Sequence, residues 1–232
     1  MNDEDLDLEA TNMEGNYKDS SNLTKWVRYM LYAQIALAII SIGSNFLEYQ
    51  LLSDYQSGAY ISQEKAAADG EASDQRQQVV AAMYLLVFVV SGFMILRWIH
   101  RSNYNARRLG AKEMVFTPGW SVGYYFIPIL TLWKPYQAMK EIWKASHNPN
   151  DWATEKAGSI LGLWWFLWIV TNILGQAVFR MAPGAEELQE LMNLNVITQV
   201  SDALAIPLAL VTLSIVNSIY RAQSVAHDNA NR

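Results

Sequence analysis

The chain alternates long apolar stretches with polar connections that carry its charged residues. Four apolar stretches are 18 residues or longer and contain no Asp, Glu, Lys or Arg: Tyr29–Leu47, Val79–Leu96, Ala157–Phe179 and Ala203–Tyr220. A helix rises ~1.5 Å per residue and a bilayer core is ~30 Å thick, so each stretch is long enough to cross a membrane. With their flanking residues, these stretches predict four spans at about 28–50, 78–99, 157–179 and 196–220.

A fifth uncharged stretch, Met114–Trp133, is interrupted by residues that break helices. It contains Pro118, Gly119, Gly123 and Pro128. A proline inside a helix removes a backbone hydrogen bond, and lipid offers no replacement for it. The stretch therefore predicts a hairpin that either lies in the membrane interface or re-enters the membrane without crossing it.

The distribution of Lys and Arg favours four spans over five. With four spans, the side that carries the amino terminus has 14 of these residues and the other side has 3. With five spans the numbers become 9 and 8, and the asymmetry is lost. Because positively charged loops stay in the cytoplasm, we expect both termini and the hairpin to be cytoplasmic.

The polar segments outside the spans have different compositions. Residues 1–22 contain seven acids, which is typical of a solvated, disordered tail and unlike a cleaved signal peptide. Residues 23–222 are predicted to form a single four-span membrane domain, followed by a short tail at 223–232. The segment 53–78 is predicted to be a loop that includes short extensions of the flanking helices.

Downstream of the hairpin, residues 136–145 have the period of an amphipathic helix. One face carries Gln137, Lys140, Glu141 and Lys144, and the other carries Tyr136, Ala138, Met139, Ile142, Trp143 and Ala145. Such a helix lies in the interfacial plane. Hairpin and helix together cover 114–146. The predicted fold class is all-α: an integral membrane four-helix bundle with a cytoplasmic-side re-entrant or interfacial Pro/Gly hairpin and an amphipathic interfacial helix.

Basic residues extend the second span beyond the membrane. Arg97, Arg101, Arg107 and Arg108 precede Gly110, which is predicted to end this helix. A juxtamembrane arginine gains ~1 kcal/mol from anionic lipid, so these four are candidate contacts to lipid headgroups. The alternative is that they only determine the topology.

Composition narrows the chemistry that the chain can carry. Hydrophobic residues make up 52% and charged residues 17%, with no Cys, three isolated His and a net charge of -5. Absence of Cys excludes disulfides and thiolate metal sites, and we predict neither a metal nor a cofactor. The negative charge argues against a nucleic-acid partner. No catalytic motif is present, so no catalytic residue is assigned and an enzymatic role has no positive support.

The joint between the hairpin and the amphipathic helix is the candidate surface for a ligand or partner. Its glycines permit close backbone approach, its aromatic side chains suit headgroup depth, and its lysines can face anions. An aromatic belt that fixes the depth of the hairpin is the structural alternative. The candidate residues are Pro118, Gly119, Trp120, Gly123, Pro128, Trp133, Lys134, Pro135, Tyr136, Lys140, Trp143 and Lys144.

Polar residues within the spans are a second candidate. Glu48, Arg180 and Asp202 fall toward the same ends of their spans and form a candidate outer ionic cluster. Ionisable groups at membrane depth often serve a function, but a structural ion pair or simple solvation also explains them. The amides of the spans are expected to bond neighbouring helices. Gly158 and Gly162 form a weak helix-contact motif.

Several short motifs resemble one known family. They are Asn105-Ala106-Arg107-Arg108-Leu109-Gly110, Pro118-Gly119-Trp120-Ser121-Val122-Gly123, Phe126-Ile127-Pro128 and Trp133-Lys134-Pro135-Tyr136-Gln137. In these motifs the chain resembles the bacterial multi-pass membrane family of domain of unknown function 4328, over about residues 75–220. The resemblance implies an integral protein of the bacterial cytoplasmic (inner) membrane. The family has no assigned activity to transfer.

Two functions are consistent with these features. The first is a non-enzymatic membrane module whose hairpin and amphipathic helix bind membrane lipids, a partner protein or a second copy of the chain. The second is a small transporter or channel subunit, which is expected to show polar side chains that converge within the membrane and often an internal repeat. The spans contain scattered amides and no convincing repeat, which favours the first function.

Overall fold

The computed structural model describes residues 17–230, which form six α-helices and no strand. The helices are α1 (Ser21–Ser57), α2 (Gln63–Arg108), α3 (Pro118–Gly123), α4 (Lys134–His147), α5 (Ile160–Met181) and α6 (Leu188–Ala230). Short 3-10 turns occur at Leu130–Leu132, Pro149–Asp151 and Ala182–Gly184. The predicted all-α fold class is confirmed.

Four of the helices, α1, α2, α5 and α6, are long and apolar enough to cross a membrane. Each predicted span lies within one of them, except that α5 begins at Ile160 rather than at 157. Apolar side chains are exposed on their surfaces, among them Leu85, Leu86 and Phe88 of α2. Lipid tails are as apolar as these side chains, so such a surface is stable in a bilayer. The chain is a multi-pass membrane protein.

The polar segment 53–78 is mostly helical. Only residues 58–62 lie outside helices α1 and α2. Its Ala, Gln and Glu residues have high helix propensity, and Gly58, with a φ of 68°, follows the end of α1. The Tyr55 hydroxyl donates to the Ala66 carbonyl oxygen (2.6 Å) and joins the two helices beside this turn.

The structure describes only a small part of the predicted N-terminal tail and most of the predicted C-terminal tail. Residues 1–16 of the predicted acidic tail lie outside the described residues, and α1 already begins at Ser21. At the other end, α6 continues to Ala230 and includes most of the predicted tail at 223–232.

The described residues form two compact units. The hairpin unit consists of residues 17–27, 93–161 and 214–230, and the span unit consists of residues 28–92 and 162–213. The hairpin unit contains α3 and α4 and buries Trp98, Ile142 and Ile219. The span unit buries Leu31 and Leu167 and contains the polar residues of the candidate ionic cluster.

In the hairpin unit, α2 ends at the predicted glycine. Gly110 has a φ of 109°. Its N–H donates to the Arg107 carbonyl oxygen (3.3 Å), and the Ala111 N–H donates to the Ala106 carbonyl oxygen (3.2 Å). This pair of bonds is a Schellman motif, which requires a residue with positive φ. Gly110 therefore ends α2 and turns the chain into the loop that precedes α3.

The stretch 114–133 is not one continuous helix. Helix α3 has 6 residues and is capped by Thr117, whose hydroxyl oxygen accepts from the Trp120 N–H (3.3 Å). Pro118 occupies the first turn of α3, where its missing N–H costs little. Ile129 then has a φ of 69°, which is strained for a β-branched residue. The stretch is therefore divided into α3, a bend at Ile129 and the 3-10 turn Leu130–Leu132.

Candidate functional site

Two side chains of α2 hold the loop 111–117 by its carbonyl groups. The Arg107 guanidinium donates to the carbonyl oxygens of Met114 (2.8 Å) and Phe116 (2.9 Å). Asn103 Nδ2 also donates to the Phe116 carbonyl oxygen (2.8 Å), and Asn103 Oδ1 accepts from Arg107 Nε (3.2 Å). The loop is therefore fixed to the end of α2 from which it emerges.

Glu141 of α4 holds the same loop by its N–H groups. Glu141 Oε1 accepts from the Val115 N–H (2.5 Å), and Oε2 accepts from the Phe116 N–H (3.0 Å). The residue is only 6% exposed. Burial raises the pKa of the Glu141 carboxyl, although the two N–H donors and the nearby Arg107 favour its charged form. Below, the loop clamp means Asn103, Arg107 and Glu141.

The periodic pattern predicts Glu141 on the polar face of α4, and this prediction is wrong. Other positions follow the pattern: Gln137 and Lys140 are exposed, whereas Ala138 and Ala145 are buried. Glu141 lies at the boundary between the two faces, beside the small alanines. There its carboxyl group reaches the loop amides, which stabilise it in a buried position.

The buried face of α4 is joined to α2 and α6 by one glutamine. Gln223 Nε2 of α6 donates to the Ser102 carbonyl oxygen of α2 (2.8 Å) and to Ser146 Oγ of α4 (2.9 Å). Gln223, Ser102 and Ser146 are all buried. This contact fixes the orientation of α4 within the hairpin unit.

Trp143, a predicted site residue, packs inside the hairpin unit. Its ring stacks on the His147 ring with centroids 4.5 Å apart, and His147 Nε2 lies 3.0 Å from Ser218 Oγ. A Cβ atom on Gly158 would come within 2.6 Å of the Trp143 ring. Gly158 therefore makes room for the indole, whereas a Cβ on Gly162 would have nothing within 4 Å.

Six apolar side chains of the hairpin are exposed. Their exposed fractions range from 40% for Trp133 to 76% for Val115. Together they are called the apolar rim, which comprises Val115, Trp120, Phe126, Ile129, Leu132 and Trp133. Exposing apolar surface to water costs ~25 cal/mol per Å². The rim is therefore suited to contact with lipid or with another apolar surface.

Aromatic rings of the hairpin face the Lys134 ammonium group. The Trp120 and Tyr124 ring centroids lie 5.1 Å apart, and the Phe116 ring meets Tyr124 edge-on at 5.8 Å. Lys134 Nζ lies 5.5 Å from the Phe116 centroid and 5.9 Å from the Tyr124 centroid. Pro135 occupies the first turn of α4 as predicted. The structure thus brings two predicted residues, Trp120 and Lys134, to the same aromatic group.

The other predicted residues of the joint differ in how closely they are packed by their neighbours. A Cβ atom on Gly119 would have nothing within 4 Å, and one on Gly123 would meet only the Trp120 ring, at 3.3 Å. No close backbone approach therefore explains Gly119. Pro128 is exposed in the hairpin, and Tyr136 is half-buried on α4.

Three of the four arginines proposed to contact lipid make contacts within the hairpin unit. Arg101 donates to the Asp19 carbonyl oxygen (3.1 Å), and the Arg108 guanidinium lies 4.9 Å from the Tyr104 ring centroid. The third belongs to the loop clamp. Arg97 is exposed and makes no hydrogen bond or ion pair with the described residues.

The lysines of α4 also differ in whether they bond to other residues of the chain. Lys144 Nζ donates to the Ala153 carbonyl oxygen (2.9 Å). Lys140 is exposed and makes no hydrogen bond or ion pair within residues 17–230. Of the predicted cationic contacts, Arg97 and Lys140 therefore keep their charges available to a ligand.

In the span unit, the three residues of the candidate ionic cluster are not brought together. Arg180 is exposed and forms no ion pair with the described residues. Glu48 Oε2 instead accepts from Gln77 Nε2 (2.6 Å) and Asn195 Nδ2 (3.0 Å). Asp202 is only 5% exposed. Neither acid therefore pairs with Arg180, and the nearby charged residues of Glu48 are Arg76 and Asp74.

The amides of the span unit form bonds both between and within helices. Asn195 Nδ2 of α6 donates to the Asn45 carbonyl oxygen of α1 (3.0 Å), as expected for a contact between spans. Asn172 instead donates to the Trp168 carbonyl oxygen (2.7 Å) of its own helix. The prediction for the amides is therefore confirmed for Asn195 and not for Asn172.

Comparison with known proteins gives one match. The family model described as domain of unknown function (DUF4328) matches residues 62–221. No curated protein and no solved structure matches the chain. The matched region excludes α1 and contains the loop clamp, the apolar rim and the lysines of α4. Because it covers well over half of the 232 residues, the chain belongs to the family of domain of unknown function 4328.

Proposed function

We propose that the hairpin unit binds anionic headgroups of membrane lipids, with residues 114–147 lying in the membrane interface. The observation that carries this proposal is the apolar rim, which leaves Trp, Phe, Ile and Leu side chains uncovered. Interfacial segments combine such side chains with Lys and Arg at headgroup level. This non-enzymatic role requires no catalytic group.

An interfacial position suits the hairpin better than a re-entrant one. Much of the backbone at 124–129 is not helical, and Phe126 and Ile129 in this part are 71% and 69% exposed. Irregular backbone that faces lipid does not occur in the hydrocarbon region, because its N–H and C=O groups would lack partners. At the interface, water supplies those partners.

Two exposed cations of the hairpin unit, Arg97 and Lys140, supply the charge that recognises the headgroups. The Lys134 ammonium group instead faces the aromatic rings beside the rim. Each basic residue near an anionic surface contributes about 1 kcal/mol. We place this surface on the cytoplasmic side of a bacterial inner membrane, with both termini on the same side. The charge asymmetry of 14 to 3 and the family resemblance support that position.

The test compares two double variants of the full chain in mild detergent. Arg97→Gln/Lys140→Gln removes the proposed contacts, and Lys65→Gln/Arg180→Gln removes two exposed charges of the span unit. Thermal unfolding is followed while phosphatidylglycerol or phosphatidylcholine is added. Wild type and control are expected to gain more stability from the anionic lipid. The first variant should lose about 2 kcal/mol of that gain, and less at high salt.

An equal response of all three proteins to phosphatidylglycerol contradicts the proposal. A second outcome is that the chain shows no preference for anionic lipid and co-purifies with a stoichiometric protein, or as an oligomer that covers the rim. In that case the hairpin unit binds protein rather than lipid. The two results are distinguished by measuring lipid and protein content of the same preparation.

A further inference from the structure

Asp202 is an acid buried among uncharged groups of the span unit. It is 5% exposed, and the hydroxyl groups of Ser41 of α1 and Tyr84 of α2 lie close to its carboxyl group. Its Oδ2 atom has no hydrogen-bond partner among the described residues. A buried, ionised carboxylate with an unsatisfied oxygen is costly. The surroundings of Asp202 therefore favour a neutral acid or a bound positive charge.

The span unit does not supply that positive charge. Its Lys and Arg residues are Arg28, Lys65, Arg76 and Arg180, and Asp202 forms no ion pair with any of these four. Arg76 donates to two serine hydroxyl oxygens of α1 and α2, at 3.1 and 2.9 Å. The groups that face Asp202 are Ser41 from α1 and the titratable hydroxyl of Tyr84 from α2. Glu48 lies two turns further along α1.

A series of hydrogen-bonding groups links Asp202 to Glu48. The Ser41 hydroxyl contacts Asp202 and accepts from Asn45 Nδ2 (3.2 Å). Asn195 Nδ2 lies 3.3 Å from Asn45 Oδ1 and 3.0 Å from Glu48 Oε2. Asn45 and Asn195 are buried, whereas Glu48 is half-buried. Two acids on different helices are thus the ends of one polar series in otherwise apolar spans.

The geometry suits a proton rather than a metal ion. Within residues 17–230, no three His, Cys, Asp or Glu side chains are close enough to hold a metal ion. Two oxygens of the same stretch of α1, Ser41 O and Asn45 Oδ1, already accept N–H bonds at 2.9 and 3.3 Å. A metal cation requires several such oxygens, whereas a proton needs only the unpartnered oxygen of the carboxylate.

We propose that Asp202 is a proton-binding site of the span unit. The step is a proton transfer: one O–H bond forms at Asp202 and one breaks at the hydronium ion that delivers the proton, which leaves water. The carboxylate becomes a neutral acid, and no electron is transferred. Buried carboxyl groups that gain and lose protons are the working groups of proton-coupled membrane proteins. This site is independent of headgroup binding by the hairpin unit.

Infrared difference spectroscopy of the full chain in lipid bilayers tests the proposal. Lowering the pH from about 9 to about 4 protonates carboxylates, and a buried acid gives a C=O stretching band distinct from that of exposed acids. Wild type is expected to show one such band that Asp202→Asn lacks, in addition to any band of the buried Glu141 carboxyl group, which both proteins share. Asp74→Asn, which changes an exposed acid on α2, and Glu48→Gln should both retain it.

Tyr84→Phe keeps the test decisive if Asp202→Asn fails to fold. This variant removes one hydroxyl that bonds to the Asp202 carboxyl group, so the C=O band is expected to move in frequency and to remain present. The proposal is overturned if wild type has no such band, if Asp202→Asn retains it, if it disappears only in Glu48→Gln, or if Tyr84→Phe leaves its frequency unchanged.

Discussion

The Glu141 carboxyl group accepts hydrogen bonds from two loop N–H groups, and the N–H group of Phe116 is buried away from water. The Phe116 and Glu141 side chains are both buried, so the loop amides and the carboxyl group depend on each other. Asn103 and Arg107 complete the arrangement from α2, one helical turn apart. The three residues of the loop clamp, which lie on two helices, thus fix the position of the loop at the start of the hairpin.

Replacing Glu141 by alanine is expected to destabilise the protein. The Val115 and Phe116 N–H groups, now bonded at 2.5 and 3.0 Å, would lose their acceptor. Leaving the buried Phe116 donor unpaired costs about 1–3 kcal/mol. Thermal unfolding of the full chain in detergent measures the change. Lys140→Ala, at the adjacent exposed position, is the control and should unfold within a degree or so of wild type; equal effects of the two variants would show that the clamp adds no stability.

The loop clamp also shows which residues a sequence pattern identifies and which it misses. Periodicity predicted the exposure of Gln137 and the burial of Ile142, because both follow from position on one helix. The partner of Glu141 lies in a loop 25 residues away, and no local pattern encodes that distance. Asn103 was missed for the same reason. Its only local signal is the i, i+4 spacing to Arg107.

At the scale of elements, the breakers and caps were the most predictable features. Gly110 ends α2, Pro118 begins α3 and Pro135 lies in the first turn of α4, because each acts through its own backbone geometry. The segment 53–78 was less predictable. Its polarity predicts a loop with short extensions of the flanking helices, whereas its high helix propensity extends both helices until only five residues separate them.

Contact between α4 and the start of α5 depends on a glycine. An alanine at Gly158 would place a Cβ 2.6 Å from Trp143 Cζ2 and 2.8 Å from Cε2, and the ring is stacked on His147. Gly158→Ala is therefore expected to lower stability by about 1–3 kcal/mol, as overpacking does. In the matched control Gly162→Ala, the Cβ meets nothing within 4 Å, and stability should be equal or higher because alanine favours helix. Thermal unfolding of both variants measures the difference, and an unchanged Gly158→Ala would show that the indole moves freely.

At the scale of the whole molecule, positive charge is concentrated in one unit. The described part of the hairpin unit contains 12 Lys and Arg residues, and the span unit contains 4. Apolar helices within the same chain are long enough to cross a membrane. This separation of charge from apolar surface is the pattern by which positively charged segments are retained in the cytoplasm. The sequence alone predicts this concentration of positive charge, because it depends on where Lys and Arg lie along the chain and does not require knowledge of tertiary contacts.

Cysteine labelling in intact bacterial cells tests the resulting topology. The native chain contains no cysteine, so Ala68→Cys, Glu187→Cys and Lys156→Cys each introduce one thiol, all at exposed positions. If both termini are cytoplasmic, positions 68 and 187 should react with a membrane-impermeant maleimide. Position 156 should react only after the cells are permeabilised, which also shows that its thiol is accessible. Lys156 lies beyond α4 and before α5, so the result does not depend on how deeply the hairpin sits in the interface. Labelling of position 156 in intact cells would mean that the basic segment faces outward, and the cytoplasmic placement of the headgroup-binding surface would have to be abandoned.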